Sequence, residues 1–268
     1  MKFIEIFLNK KFIGKKGGNI MLKLLKYNFK DSMKIICGIL IASLLNVLFL
    51  GHFKSYIYLF HIFISFTMII GILKILGSYE NDLYHKEANL IFTLPISKKN
   101  ILFSRLIYSF LLMLFVIIIN LICFFFLGYI YKLYDPLHIF KVFNVITSRP
   151  IAIIILILLL VIKYFELTLI MYFGITLSKV ISKNKKRGVL SLIFIVVSCY
   201  LINFLDNSIK SIFTKNIGYN MRSFNIGEYM YIDLPYIRLN IASVIFNIII
   251  CIMLFYIILY MLKKKVNL

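Results

Sequence analysis

The chain has 268 residues and carries 31 Lys and Arg against 10 Asp and Glu, a net charge of +21, yet 62% of it is hydrophobic and only 15% charged. Soluble domains are about half apolar and about a quarter charged, so a soluble globule is excluded; its polar residues would not cover its core. The cationic excess points to nucleic acid or an anionic membrane surface, and because Lys and Arg gather in short clusters between long apolar runs, the lipid bilayer is the expected partner and nucleic acid is not.

Lys10, Lys11, Lys15 and Lys16 interrupt any apolar stretch near the start, so no signal peptide is predicted. The run Lys15, Lys16, Gly17, Gly18, Asn19, Ile20 ahead of Met21 is what a purine-rich ribosome-binding site looks like when translated. Residues 1–20 are therefore read as a disordered or untranslated extension, with Met21 as the start. In residues 21–34, Leu22, Leu25, Phe29 and Met33 recur at helical spacing beside Lys23, Lys26, Lys30 and Lys34, which predicts an interfacial amphipathic helix.

A bilayer core about 30 Å thick takes about 20 apolar residues per helix. Runs of that kind fall at 35–51, 56–73, 107–130, 151–177, 189–205 and 241–262, the fourth being long enough to tilt or project. The expected fold is all-α, a polytopic bundle of six transmembrane helices within a domain over 35–268. Lys and Arg concentrate before the first span, around 74–105, at 179–187 and at Lys263, Lys264 and Lys265, so by the positive-inside rule both termini are cytoplasmic. Richness in Lys, Ile, Asn, Phe and Tyr, whose codons are AT-rich, fits the cell membrane of a low-GC bacterium.

The cytoplasmic stretch 77–105 reads GSYENDLYHKEANLIFTLPISKKNILFSR. Glu80, Asp82 and Glu87 stand in its first part, and Lys98, Lys99 and Arg105 in its last, so the acids do not set topology and are read as available to a cytoplasmic partner. Pro95 disfavours helix at Leu94, and Ser97 is placed to cap the helix that follows.

An acidic helical stretch, then Thr93, Leu94, Pro95, Ile96 and Ser97 with basic residues, then a long apolar span resembles the permease subunits of type-2 ABC exporters of Gram-positive bacteria. The segment GITLSKVISKNKKRG over 174–188 is similar to a second inner loop of that family. The resemblance implies a half-transporter that dimerises with a second copy or a paralogue and docks separate ABC ATPase subunits. Glu80 to Ser97 would then form the coupling loop, and ATP and magnesium would belong to the partner ATPase, with no cofactor in this chain.

Within the fourth span Lys163 and Glu166 lie three residues apart on one helical face, where an ionised group costs at least about 2.5–3.5 kcal/mol, so they are expected to neutralise each other. Near the middle of that span, a structural pair, a gating or substrate-facing pair and a proton relay are the readings open to them, the relay being disfavoured because no further acid is expected inside a neighbouring span. Residues 206–240 form an outer segment too long for an idle connection, with Gly218, Gly227 and Pro235 breaking it and Tyr219, Phe224, Tyr229, Tyr231 and Tyr236 as interface-preferring aromatics. The resemblance implies short re-entrant or extracellular helices there.

Cys37, Cys123, Cys199 and Cys251 each fall in a different apolar run and are read as small core residues. His52, His61, His85 and His138 show no ligand spacing, so no metal is expected. No Walker A, G-x-S-x-G or H-E-x-x-H motif is present, so the chain is read as no enzyme. The competing readings are a membrane assembly or sensor protein that binds a ligand through its outer segment, and an intramembrane enzyme built on Lys163 and Glu166.

Overall fold

The computed structural model describes residues 18–50, 56–84, 97–130, 150–182, 187–219, 224–226, 230–232 and 237–264. Six helices carry almost all of them: α1 (Gly18–Leu50), α2 (Tyr56–Tyr84), α3 (Lys98–Ile130), α4 (Pro150–Ile181), α5 (Arg187–Ile212) and α6 (Ile241–Lys264). Between α5 and α6 lie β1 (Asn216–Tyr219), β2 (Phe224–Ile226), β3 (Met230–Ile232) and β4 (Ile237–Asn240). These pair antiparallel as two nested ribbons, β1 with β4 and β2 with β3.

Among the described residues, five helices are long and apolar enough to cross a bilayer: Ile62–Tyr84, Lys98–Cys123, Ile153–Ile181, Gly188–Ile212 and Ile241–Lys263, of 23 to 29 residues. At 1.5 Å per residue these run about 35–43 Å, enough for the hydrocarbon layer with tilt or overhang. Their outward surfaces are lined with Ile, Leu, Val and Phe that stay more than half exposed, as at Val196, Phe204 and Ile252. The chain is a multi-pass helical membrane protein.

The helices alternate in direction, so two ends of the bundle can be distinguished. At one, the basic end, Lys98 at the start of α3 meets the carbonyl of Leu262 at the close of α6 (2.6 Å), and Tyr84 at the close of α2 meets Ser178 near the close of α4 (2.7 Å). At the other, the ribbon end, α5 passes through β1 and β4 into α6.

Helix termini follow their local chemistry. The Ser97 hydroxyl accepts the Asn100 amide (3.3 Å), the cap anticipated for α3. Pro150 opens α4, where the missing N–H costs nothing. Asn240 caps α6 by accepting the Ser243 amide (3.0 Å), and its Nδ2 donates to the Phe213 carbonyl just past α5 (2.5 Å), so one side chain ties both helix ends together. Inside the bundle, hydroxyls of Ser32, Ser43, Thr168 and Thr176 donate to carbonyls one turn back, which satisfies them without water.

Four expectations are corrected. The interfacial helix over 21–34 is not separate: α1 runs unbroken through residue 35, and its inward stripe is Asn28, Phe29, Ser32, Ile36 and Ile39, while Met33 faces outward. The second span does not stop at Leu73 but continues as helix to Tyr84, which removes the first part of the 77–105 loop. The fifth continues past Leu205 to Ile212 and brings Asp206 into the bundle. The outer segment holds β-ribbons where short helices were expected. Of the cysteines, Cys123 is buried, but Cys37 is exposed on α1 because it lies off the inward stripe.

Candidate functional site

Two clusters of buried charge stand out among the described residues, one toward each end of the bundle. Near the basic end, Arg105 of α3 donates to Asp82 of α2, and both side chains are about nine-tenths buried. The surrounding network reaches four helices. Tyr79 stacks on Tyr172 (centroids 4.0 Å apart) and its hydroxyl meets Thr176 (2.8 Å); Tyr172 donates to the Arg105 carbonyl (3.3 Å); and Tyr108 bonds Ser32 of α1. Tyr84 also donates to the Ile175 carbonyl (3.1 Å), and the Lys179 ammonium lies 4.8 Å over its ring. A buried ion pair of this kind is tolerated because each partner would otherwise be an uncompensated charge in hydrocarbon.

This geometry redistributes the residues assigned to the coupling loop. Asp82 is not on a docking surface, because Arg105, which was read as basic flanking charge, draws it inward. Glu80 is partly exposed on the last turns of α2, and Ser97 is exposed at the start of α3. Glu87, Thr93, Leu94, Pro95 and Ile96 lie outside the described residues. What the structure fixes is the pair of helix ends on either side of them: Tyr84 held by α4, and Lys98 held by α6.

The second cluster lies among α4, α5 and α6. Lys163 donates to Glu166 at 2.9 Å, as their spacing predicted. Asp206 of α5 adds a third charge, 4.0 Å from Lys163, and Lys210 one turn further along α5 pairs with Asp206 at 2.6 Å. Ser243 of α6 donates to the other Asp206 oxygen (2.5 Å). The two carboxylates are buried to 6% and 4% exposure, whereas both lysines remain 46% exposed. An acid of a neighbouring helix thus does join Lys163 and Glu166, against expectation, because α5 extends about two turns beyond its apolar run.

The level of this cluster follows from helix rise. Lys163 lies about 27 Å from the basic end of α4 and Asp206 about 28 Å from that of α5, while Ser243 lies at the opening of α6, about 32 Å from Lys264. Lys163 and Glu166 therefore stand near the middle of α4, yet level with the last turns of α5 and the first turn of α6, so that α4 runs about 20 Å past the cluster on the ribbon side. Both lysine side chains stay nearly half exposed while the acids stay inside.

Helix α4 closes on α5 at Gly174, where an added Cβ would stand 2.5 Å from Ile195 Cγ1 and 3.1 Å from the backbone oxygen of Ser191. That glycine belongs to the 174–188 segment singled out in the sequence, and here it serves close helix packing.

Neither family models, nor curated proteins, nor solved structures give a match to this chain, so its function is argued from its own residues.

Proposed function

We propose that the chain is the membrane-spanning permease subunit of an exporter driven by a separate ABC ATPase, which docks on the segment 85–97 between α2 and α3. The supporting observation is mechanical: the two helix ends that flank this segment are each tied to a distant helix, Tyr84 to α4 through Ser178 and Ile175, and Lys98 to α6 through the Leu262 carbonyl. A partner that pushes on the ends of α2 and α3 therefore moves α4 and α6 along with them, which is what coupling ATP hydrolysis to a transport path requires.

On this reading α1 is a sixth span, both termini are cytoplasmic, and the ribbons cap the outer end of the path. Glu80 and Glu87 serve as the acidic docking residues, with Asp82 reassigned to the internal lock. The permease functions as a dimer, and its substrate is hydrophobic or amphipathic.

Affinity purification of the full chain from its host in mild detergent, with an ATPase assay on the eluate, tests this. An ATPase that co-purifies near one per permease supports it, provided that Tyr84→Phe with Lys98→Met lowers the stimulated rate severalfold while the complex stays intact. Elution without an ATPase, under conditions that preserve control complexes, overturns the reading.

A further inference from the structure

We infer that the cluster among α4, α5 and α6 is a binding site for a small monovalent cation, and that the Lys163 ammonium is the exchangeable occupant holding the site in this structure.

Three kinds of oxygen, from four residues, bear on the site. The Glu166 and Asp206 carboxylates are buried, the Ser243 hydroxyl is bonded to Asp206, and one turn along α6 from Ser243 is Asn247, only 4% exposed. The side-chain carbonyl of Asn247 is buried without a hydrogen-bond partner. Its direction is bracketed by its helical neighbours: Ser243, four residues before it, bonds Asp206, and Cys251, four residues after it, lies within electrostatic reach of Glu166 and Lys163. Asn247 therefore lies on the face of α6 that looks onto the carboxylates. A buried carbonyl with no donor costs about 1–3 kcal/mol, and a cation coordinated by oxygen removes that cost.

The charges explain the exchange. Lys210 pairs with Asp206 within α5 and leaves one negative charge to be neutralised. Lys163 supplies it, but off-centre, at 2.9 Å from Glu166 and 4.0 Å from Asp206, and with nearly half of its side chain exposed. An ammonium so placed can swing outward, and a small cation entering behind it restores neutrality and gains the Asn247 carbonyl as a ligand, which Lys163 does not reach with a hydrogen bond in this structure. The inference is independent of whether an ATPase docks at the opposite end.

The test uses the purified full chain in detergent. Thermal unfolding of Lys163→Met is followed in sodium, potassium, ammonium and choline chloride at equal ionic strength, choline being too large for the site. At a concentration roughly 100 times its dissociation constant, the bound cation is expected to raise Tm by about 5 °C over choline, and Asp206→Asn added to Lys163→Met is expected to abolish the rise. Comparing the three small cations identifies whether a metal ion or an ammonium group is preferred. Wild-type protein gives a second readout that does not depend on the variant folding: acylation of Lys163, quantified by mass spectrometry against Lys210, should rise severalfold when choline is replaced by the preferred cation. A Tm that follows pH but ignores cation identity, or Lys163 acylation that does not respond to any of the cations, overturns the inference.

Discussion

Asp82 and Arg105 face each other across α2 and α3, 23 positions apart in sequence, and neither side chain is more than 9% exposed. The pair sits among Tyr79, Tyr108 and Tyr172, so a charge left alone there is held in largely aromatic surroundings. Removing one partner leaves an uncompensated buried charge, whereas replacing both with apolar groups of similar volume does not. Arg105→Met alone is therefore expected to lose about 3–5 kcal/mol of stability, and Asp82→Leu with Arg105→Met most of that loss back. Thermal unfolding of the three variants in one detergent, read as retained monodisperse protein, checks the order.

The α4–α5 crossing gives a steric prediction. Because the Ser191 oxygen and Ile195 nitrogen stand 3.1 Å from where a Cβ would lie at Gly174, rotamer changes do not relieve the contact. Gly174→Ala should destabilise by about 1–3 kcal/mol through overpacking, despite the better helix propensity of alanine. Gly38→Ala on α1, where nothing lies within 4 Å, is the control and should be neutral or slightly stabilising. Ile195→Ala should recover only part of the Gly174→Ala loss, since the backbone contacts remain.

Asn240 is one residue with two duties, capping α6 and holding the end of α5. Asn240→Ala loses both and should cost about 1–2 kcal/mol. Asn240→Ser keeps an acceptor for the Ser243 amide and should cost less. The two variants, compared by thermal unfolding with proteolysis at the β1–β4 ribbon as a local probe, separate the cap from the tether.

What the sequence made legible here is what local periodicity carries. The long apolar runs locate α2 to α6, the three-residue spacing of Lys163 and Glu166 puts them on one face, and Ser97 ahead of Lys98 marks a helix start. What it hid depends on pairing between distant segments. Asp206 looks like the polar edge of an apolar run, and only the packing of α5 on α4 and α6 turns it into a buried partner of Lys163 and Ser243. Arg105 looks like flanking charge for the same reason. Ribbon pairing of β1 with β4 has no alternating apolar pattern to announce it, since residues 216–219 and 237–240 are too short and too mixed.

Topology is the property on which the remaining assignments depend, and it yields a sharp test. Lys99 at the start of α3 and Thr214 just beyond α5 are both exposed and lie at opposite ends of the bundle. With Cys37, Cys123, Cys199 and Cys251 replaced, Thr214→Cys in intact cells should react with a membrane-impermeant maleimide, whereas Lys99→Cys should react only after the membrane is opened. The reasoning is electrostatic: Lys98, Lys99, Lys179 and Lys263 share the basic end, and basic residues close to the ends of spans are retained on the cytoplasmic side. The reverse labelling pattern would put the segment 85–97 outside the cell, out of reach of any cytoplasmic ATPase, and the permease reading would fall with it. If both sites label in intact cells, the two ends are not separated by a bilayer, and the alternation of α2 to α6 as spans is wrong.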